Sequence, residues 1–435
     1  MALGLTPQQI IDKDTHPMLR ISKNWARIKL HFVADIQNGY AFSSQEFSKD
    51  SGLPLIRIRD ILKHKTDDFY TGIYPTEFLV DKGDILIGMD GDFNASVWKG
   101  PRGLLNQRVC RVLPNIKNYF DKFLIICLQP YLNAINSETS AVTVKHLSSR
   151  TIQQIPIPLP PLPEQRAIVS KIEQLFSDLD NGIDNFKKAQ SQLKLYRQSV
   201  LKAACEGKLV PTEAELAKAE GRDYEAADVL LVRIIKERRE KWNGKGKYKE
   251  PEAADTSRLP ELPEGWGWVN IEQLKSFSLY GPRYSSDDYA NDGYIVLRTS
   301  DIGESGKVDI SSAPRLNISK EDFSKYKVEL GDLLITRTGS LGTLAVFNDN
   351  VEAIPGAYLI MYRLVMNLKI SWYIFYFLKS TLGQKYLIAG GAGVGRPNLN
   401  APTIEAIPIP LPPLAEQRRI VAEVERRLSL SDKME

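Results

Sequence analysis

A proline-alternating stretch decides the fold of this chain. It reads Ile155-Pro-Ile-Pro-Leu-Pro-Pro-Leu-Pro-Glu-Gln-Arg166 and returns 252 residues later as Ile407-Pro-Ile-Pro-Leu-Pro-Pro-Leu-Ala-Glu-Gln-Arg418. Eleven of the twelve positions are identical, which chance does not produce, and the exception is Pro163, replaced by Ala415. Because self-similarity at a fixed spacing indicates a repeated structural unit, this stretch, here named the proline ladder, predicts one unit written twice.

Two motifs upstream of the ladder repeat in the same order. Val80-Asp-Lys-Gly-Asp-Ile-Leu-Ile87 resembles Val328-Glu-Leu-Gly-Asp-Leu-Leu-Ile335, and Ile56-Arg-Ile-Arg-Asp-Ile61 resembles Leu297-Arg-Thr-Ser-Asp-Ile302. The spacing between the copies drifts only from 241 through 248 to 252 residues, as short loop insertions would cause. The pattern predicts a tandem duplication of a unit of about 150 residues followed by a helix.

Each unit has the pattern of a mixed α/β (α+β) fold. The Gly-Asp motifs are typical of a turn that leads into a buried strand, because Gly83 and Gly331 permit a tight backbone there. Further strands are predicted at 108–113 and 358–364, and helices at 119–132 and 372–382, where apolar residues recur at helical spacing.

The proline ladder is expected to form an edge strand or a polyproline-like arm, because proline donates no backbone hydrogen bond. Read alone, Pro-x-x-Pro also fits a ligand of a proline-binding domain. A structural joint is favoured, since both copies directly precede the start of a helix.

A helix of about 42 residues, roughly 60 Å long, is predicted after the first ladder and ends near Gly207. Its apolar residues follow coiled-coil spacing, with weak points at Gly182 and Gln190. The second copy has barely three apolar turns before Glu435, and a full copy would need roughly twenty more residues, so a trimmed chain, a natural shortening and completion by association all stay open. The predicted coiled-coil and partner-binding positions are Ile168, Ile172, Leu175, Leu179, Phe186, Leu193 and Val200, with Ile420, Val424 and Leu428 in the second helix.

Composition excludes several classes of protein. The 435 residues carry 57 Lys+Arg against 53 Asp+Glu, a net charge of +4, which neither requires nor excludes nucleic acid. No apolar run reaches the ~20 residues that span a bilayer, and the first ten residues do not form a signal peptide. Cysteine and histidine spacings fit no metal site and no disulfide framework. We therefore expect no bound metal, and we expect the chain to reside in a reducing cytoplasm. These residues are Cys110, Cys127 and Cys205, and His16, His31, His64 and His146.

A ladder ending in Pro-Leu-x-Glu-Gln-Arg before a long helix, twice per chain, resembles the specificity subunit of type I restriction–modification systems. The resemblance includes the end of the central helix, Gln198–Val210, and the stretch Leu262-Pro-Glu-Gly-Trp-Gly-Trp-Val269. It implies two target recognition domains, at 1–162 and 263–414, related by a pseudo-twofold axis through an antiparallel coiled coil. The coil would comprise a central helix at 163–207 and the start of a second, truncated helix at 415–435, with a charged connector containing a short helix at 208–262.

The resemblance also implies a function and partners. The domains would read a bipartite, asymmetric double-stranded DNA site, each facing a major groove about one helical turn, ~34–36 Å, from the other. Two modification subunits would bind the helices and methylate adenine N6 with S-adenosylmethionine after extruding the base. Motor–nuclease restriction subunits would complete the complex. The chain itself would need no cofactor.

The sequence contains none of the motifs that these reactions require. It has no [Asp/Asn/Ser]-Pro-Pro-aromatic methyltransferase motif and no phosphate-binding ATPase loop. Glu206-Gly-Lys208 superficially resembles a nuclease motif but stands at a helix end, and Asp84 and Asp332 fit turn caps better than paired catalysis. A non-catalytic recognition subunit is therefore favoured over a stand-alone methyltransferase or nuclease and over a coiled-coil adaptor that binds only proteins.

Base reading would rest on side chains that make two-point hydrogen bonds, while phosphate contacts would add affinity without sequence information. The glycine-rich stretch 390–395 is interpreted as a loop that brings Arg396 towards DNA, with a plain surface loop as the alternative. The candidates in the first unit are Gln37, Asn38, Tyr40, Arg57, Arg59, Lys63, Lys65, Lys145 and His146, and those in the second are Arg283, Tyr284, Arg298, Ser300, Arg337, Arg396 and Asn398.

Overall fold

The structure is a computed structural model that describes residues 5–115, 119–139, 145–242, 246–338, 342–389 and 399–432. The chain divides into two compact units, Met1–Asp184 and Asn185–Glu435. The division falls inside one long helix, so that helix contributes its first half to one unit and its second half to the other.

Among its described residues, the first unit contains three small sheets. A two-stranded antiparallel sheet pairs β1 with β11, a four-stranded antiparallel sheet has the order β2-β10-β7-β8, and a five-stranded sheet has the order β3-β5-β4-β9-β6 with β4 and β9 parallel. The strands are β1 (Ala26–Lys29), β2 (Ala34–Asn38), β3 (Phe47–Ser48), β4 (Leu53–Ile56), β5 (Phe69–Tyr70), β6 (Leu79–Val80), β7 (Ile85–Gly88), β8 (Ala95–Val97), β9 (Gly103–Leu105), β10 (Val109–Pro114) and β11 (Pro156–Leu159).

The helices of the first unit are α1 (Pro7–Asp12), α2 (Asp121–Glu138), α3 (Ser149–Gln153) and the first half of α4 (Leu162–Cys205). The α2 helix buries Leu124, Leu128 and Leu132, spaced by four residues, in the main core of the unit. Because β10, α2 and β11 each contribute to this core, it holds the four-stranded and two-stranded sheets together.

The second unit repeats this topology. Its sheets have the orders β12-β21, β13-β20-β17-β18 and β14-β16-β15-β19, and β15 runs parallel to β19 as β4 does to β9. The strands are β12 (Gly267–Asn270), β13 (Lys275–Tyr280), β14 (Tyr289–Ala290), β15 (Tyr294–Leu297), β16 (Arg315–Leu316), β17 (Leu333–Thr336), β18 (Leu344–Val346), β19 (Ala353–Pro355), β20 (Leu359–Leu364) and β21 (Pro408–Leu411).

The second unit also contains the end of α4 and eight further helices among the described residues. They are α5 (Glu213–Glu220), α6 (Ala227–Glu240), α7 (Ile271–Leu274), α8 (Lys320–Tyr326), α9 (Asn367–Lys379), α10 (Thr381–Ala389), α11 (Ala401–Glu405) and α12 (Leu414–Asp432). The end of α4 shares one core with α12 through Val200, Leu201, Ile420 and Val424. The duplication predicted from the ladder is therefore confirmed, although β6 has no counterpart among the described residues of the second unit.

Most of the predicted elements are present, with one division. The predicted helix at 372–382 is two helices, α9 and α10, because Ser380 adopts an extended conformation between them and its hydroxyl accepts the N–H of Gly383. The predicted end of the long helix is confirmed, since Gly207 has a φ of 66° and Lys208 donates to the carbonyl of Ala203 at 2.9 Å.

The proline ladder forms an antiparallel strand in each unit, β11 paired with β1 and β21 paired with β12. In the first unit the buried side chain of Gln165 donates to the carbonyl of Pro160 at 2.9 Å, and Gln417 donates to Pro412 at 2.8 Å in the second. The ladder is thus a structural joint whose carbonyls are bound by the glutamine of the helix that follows it.

Candidate nucleic-acid interface

Three segments of the first unit lie side by side at the ends of its four-stranded sheet. The N–H of Met89, which follows β7, donates to the carbonyl of Arg108 in the β9–β10 turn at 2.9 Å. The N–H of Leu147, before α3, donates in turn to the carbonyl of Met89 at 2.7 Å. Residues 89–91, 106–108 and 145–147 are named the first loop surface.

The second unit contains the same arrangement. The N–H of Arg337, which follows β17, donates to the carbonyl of Tyr358 in the β19–β20 turn at 2.9 Å, and the N–H of Leu399 donates to the carbonyl of Arg337 at 2.8 Å. Residues 337–338, 356–358 and 399 are named the second loop surface. Three segments that are distant in sequence therefore meet in both units through equivalent backbone hydrogen bonds.

A glycine lies beneath the turn of each loop surface. A Cβ on Gly39 would lie 2.0 Å from the carbonyl oxygen of Asn106, and a Cβ on Gly281 would lie 2.1 Å from that of Gly356. Because real Cβ atoms do not approach an oxygen so closely, only glycine lets the strand pass under the turn.

A charged cluster occupies the first loop surface. The carboxylate of Asp90 lies 2.6 Å from Nδ1 of His146 and 3.5 Å from Nε of Arg108. Lys145 donates from Nζ to the backbone carbonyl of Asn136 at 2.6 Å, which fixes it against the end of α2. The structure thus places the predicted Lys145 and His146 together with Arg108, a residue that the sequence analysis missed.

Arg57 and Arg59 are held by an acidic residue, Asp68, whose side chain is only 6% exposed. Burial opposes its ionisation, but a hydrogen bond from Lys49 and the charges of both arginines keep the pKa of Asp68 below its usual value. Arg57 also lies over the ring of Phe47 at 5.0 Å. The positive charges of these two predicted arginines are therefore paired with a carboxylate inside the first unit.

Other candidates of the first unit have structural contacts. The side-chain oxygen of Gln37 accepts from Arg111 at 2.6 Å, and Asn38 donates to the hydroxyl of Ser149 at 3.3 Å. Tyr40 is 42% exposed and contacts Phe78 with a ring-centroid distance of 5.0 Å. The remaining two candidates, Lys63 and Lys65, are exposed and make no side-chain hydrogen bond or ion pair with the described residues.

In the second unit a cavity of about 250 Å³ brings three predicted residues together. Tyr284, Arg298 and Ser300 line it with Tyr289 and Tyr358. Arg298 pairs with Asp301 at 2.7 Å, and this hydrogen bond raises the pKa of Arg298, while the hydroxyl of Ser300 donates to the same carboxylate at 3.2 Å.

The other candidates of the second unit lie beside this cavity or outside the described residues. Arg283 is exposed, and Arg337 stacks its guanidinium on Tyr280 at 4.7 Å. Arg396 and Asn398, with the glycine-rich stretch 390–395, lie outside the described residues.

The sequence analysis missed the turn residues Asn106, Gln107 and Arg108. Gln107 is exposed, and the side chain of Arg108 is 56% exposed. A signal was present, because three consecutive polar residues with long or amide side chains separate two apolar strands, Gly103–Leu105 and Val109–Pro114.

The predicted coiled-coil positions differ in exposure. Ile168, Ile172, Leu193 and Leu428 are half-buried, while Val200, Ile420 and Val424 are buried. Leu175, Leu179 and Phe186 expose 54–56% of their surface on α4.

The repeated aspartates serve as turn caps. Asp84 accepts the N–H of Asp81 at 2.9 Å, and Asp332 accepts that of Glu329 at 2.8 Å. Each also pairs with an arginine of the neighbouring strand, Arg111 at 3.0 Å or Arg363 at 2.7 Å. The turn-cap interpretation is confirmed.

The described ranges contain no group of three or more His, Cys, Asp or Glu side chains that could hold a metal ion. The thiols are free, and burial raises the pKa of Cys110, Cys127 and Cys205 to about 12. Within the same ranges, no helix has both the length and the apolar character needed to cross a membrane.

Together, the repeated topology and the two loop surfaces define a duplicated α/β protein, and comparisons identify its family. The family model described as "Type I restriction modification DNA specificity domain" matches twice, at 22–186 and 263–427. The type I restriction enzyme EcoBI specificity subunit of Escherichia coli is 33% identical over 442 residues, covering 100% of this chain and 86% of that protein. The chain therefore belongs to the family of type I restriction–modification specificity subunits.

Solved structures share the fold. The HsdS subunit from Thermoanaerobacter tengcongensis aligns with a TM-score of 0.54 at 17% identity, covering 95% of this chain and 91% of that one. A structure described as the basis of complex assembly and conformational transition of the type I R-M system aligns with a TM-score of 0.57 at 18% identity, covering 95% and 93%.

Proposed function

We propose that this chain is the DNA sequence-specificity subunit of a type I restriction–modification complex and reads a bipartite, asymmetric site. The observation that carries the proposal is the repetition of one loop surface in two units with different side chains. Two equivalent surfaces with different polar groups are what two different half-sites require, because bases are distinguished by the hydrogen-bonding groups at their edges.

The partners follow from family membership and from helix α4. Leu175, Phe176, Leu179 and Ile183 lie within the first unit and expose 43–63% of their surface. A run of exposed apolar side chains on one helix is typical of a protein-binding surface. We assign this run to a modification subunit, two copies of which would bind the chain, with restriction subunits completing the complex in the cytoplasm.

The chain is proposed to be non-catalytic and to need no cofactor of its own, while the modification subunit would use S-adenosylmethionine. The raised pKa values of the buried thiols argue against cysteine-based nucleophilic catalysis, because a thiol with a pKa of about 12 supplies little thiolate at neutral pH.

Mapping of methylated adenines tests the proposal. The chain, expressed with its modification subunit in a host without adenine methylation, should produce one bipartite methylated motif. Replacing 263–400 with the corresponding stretch of another specificity subunit should change only one half of that motif. Change in both halves, or no bipartite motif from the parent complex, would contradict the proposal.

Two alternatives predict different results. A stand-alone methyltransferase would transfer methyl groups to DNA without a partner subunit. A protein-only adaptor would show no DNA affinity at any salt concentration, whereas a DNA-reading subunit should bind with an affinity that falls steeply as salt increases, because its cations replace condensed counterions.

A further inference from the structure

The β9–β10 turn and its counterpart differ most strongly where they are most exposed. Superposing the two repeats through Gly39 and Gly281 pairs Asn106 with Gly356, because each glycine lies beneath the carbonyl of that residue. Gln107 then corresponds to Ala357, and Arg108 to Tyr358. The equivalent backbone hydrogen bonds from Met89 and Arg337 fix this correspondence independently.

We propose that the side chains at these two turn positions determine which bases each unit reads, an inference that rests on the proposed function. Gln107 and Arg108 would select the half-site of the first unit. Ala357 and Tyr358 would give the second unit a different preference at the same place.

The chemistry of Gln107 and Arg108 matches base edges. A glutamine amide can pair with N6 and N7 of adenine, and an arginine guanidinium can pair with O6 and N7 of guanine. The side chain of Gln107 has no hydrogen-bond partner among the described residues. Both of its functional groups are therefore available to a ligand.

Arg108 is oriented without being fully engaged. Asp90 faces its Nε at 3.5 Å, and His146 lies on the other oxygen of the same carboxylate at 2.6 Å. In the described part of the chain, the terminal NH2 groups of Arg108 make no hydrogen bond. Asp90 is thus a positioning residue, and the guanidinium keeps the pair of donors that guanine recognition uses.

The contrast with Arg57 and Arg59 supports the choice of this turn. Those arginines are paired with a buried carboxylate, that of Asp68, whereas Asp90 is 20% exposed and reaches only one edge of Arg108. The backbone of the turn is also fixed, because it is hydrogen-bonded to Met89 and passes over Gly39. A fixed backbone that presents polar side chains with free hydrogen-bonding groups is suited to reading bases, because little backbone conformational entropy is lost on binding.

Adenine methylation by the complete complex with its modification subunit tests the inference. Gln107→Ala should relax one base pair in one half of the motif, so that methylation of sites altered at that base pair rises about 10- to 100-fold relative to the parent complex. Gln107→Glu should shift the preference at the same base pair, because a carboxylate accepts from N4 of cytosine. Ala357→Gln should alter only the other half.

Asn24→Ala provides the matched control, since it removes an exposed amide of the first unit outside the loop surface. It should leave the motif unchanged. An unchanged motif in all three turn variants, with the parent motif bipartite, would overturn the inference and leave the proposed function standing. Absence of a bipartite motif from the parent complex would instead overturn the proposed function.

If the Gln107→Ala complex no longer methylates DNA, its binding affinity is measured for duplexes that vary at each half-site position. Loss of discrimination at one position supports the inference. Equal weakening for every duplex overturns it, because that result would assign Gln107 to the phosphate backbone or to folding.

Discussion

Single glutamines hold the proline ladders in place. Gln165 is fully buried, and its side chain joins two otherwise separate backbone groups, since it accepts the N–H of Phe120 at 2.8 Å and donates to Pro160 at 2.9 Å. Gln417 repeats the donation to Pro412, but its oxygen has no hydrogen-bond partner among the described residues. The side chain of this glutamine therefore makes two hydrogen bonds in the first repeat and one in the second, among the described residues.

We predict that Gln165→Ala lowers the free energy of unfolding of the first unit by about 2–4 kcal/mol, because a buried carbonyl and a half-buried N–H lose their partners. Gln417→Ala should cost less in the second unit, about 1–2 kcal/mol, since one bond is lost. Urea unfolding measures both. Gln174→Ala, an exposed position on α4, should change stability by less than about 0.5 kcal/mol. Equal costs for the two buried glutamines would contradict this assignment.

Glu213 illustrates charge pairing at one residue of the second unit. Burial opposes its ionisation, but hydrogen bonds from Arg419 at 2.6 Å and Arg222 at 2.7 Å keep the pKa of Glu213 below its usual value. Burial raises the pKa of its neighbour Glu416, which accepts the N–H of Glu213 and that of the Trp266 ring. The two carboxyl groups therefore titrate in opposite directions from their ordinary values.

The effect of pH on the cost of Glu213→Gln follows from the lowered pKa of Glu213. A carboxyl with a lowered folded-state pKa stabilises the fold above its unfolded value of about 4.3, and that stability is lost as the pH falls further. We expect Glu213→Gln to cost about 2 kcal/mol at pH 7 and progressively less below about pH 4.3. Urea titrations of parent and variant at pH 7 and below about pH 4.3 measure the difference. A cost that is independent of pH, or one matched by the exposed control Glu261→Gln, would contradict the pairing.

At this scale the sequence predicts residue types better than contacts. Lys145 and His146 were expected to bind DNA and do lie on the first loop surface, but Gln37 is turned towards Arg111 and Glu77. The difference is physical, because a polar residue on a strand faces whichever neighbouring strand supplies a partner. That neighbour is known only once the sheet order is known.

Among the elements, the β9–β10 turn and its counterpart depend on a glycine in another strand. Gly39 and Gly281 have no room for a side chain beneath the turn, whereas a Cβ on Gly182 in α4 would meet nothing within 4 Å. Identical substitutions at these positions should therefore have opposite effects on stability.

We predict that Gly39→Ala destabilises the first unit by about 1–3 kcal/mol through overpacking against a backbone oxygen. Gly182→Ala should instead stabilise α4 by about 0.5–1 kcal/mol, because alanine loses less conformational freedom than glycine in a helix. Thermal unfolding compares the two variants. A Gly39→Ala protein as stable as the parent would show that the turn is free to move away from the strand.

Element prediction succeeded where one local pattern was sufficient. The long helix and the ladder strands follow from apolar spacing and proline placement, and α6 is the short helix expected within the connector 208–262. The α5 helix was missed although Thr212 and Glu215 form a capping box and Gly221 ends it with a φ of 63°. Its eight residues carry too few apolar positions for a periodic signal.

At the scale of the whole molecule, each unit has a core of its own, so a local defect should remain local. Asp332 is fully buried and paired with Arg363, whereas its counterpart Asp84 is 24% exposed beside Arg111. Removal of the Asp332 carboxylate should leave its hydrogen-bond donors in a site closed to water, whereas water can in part replace the more exposed carboxylate of Asp84.

We predict that Asp332→Ala costs about 2–4 kcal/mol and that Asp84→Ala costs about 1–2 kcal/mol, since water can in part take the place of the Asp84 carboxylate but not of the fully buried one. Peptide-resolved hydrogen exchange should show faster exchange only in residues 185–435 for the first variant and only in residues 1–184 for the second. Faster exchange throughout the chain in either case would indicate that the two units unfold as one.

The duplication itself could be predicted from the two ladders and the two motifs upstream of them, because similar residues recur in the same order. The difference in side chains between the two loop surfaces could not be predicted. Asn106, Gln107 and Arg108 are recognised as one group only once the fold places them above Gly39. Repeats thus reveal what two units share, while a structure is needed to locate where they differ.

The alternating prolines have a consequence for behaviour at high concentration. In β11, Pro156 and Pro158 have no N–H, and the N–H of Ile157 donates to the carbonyl of Ile155, the residue before the strand. A strand with few free donors is a poor template for strands of other chains, and such edge-to-edge pairing is a common route to aggregation. The alternating prolines of β11 and β21 therefore make one edge of each two-stranded sheet a poor site for pairing with another chain.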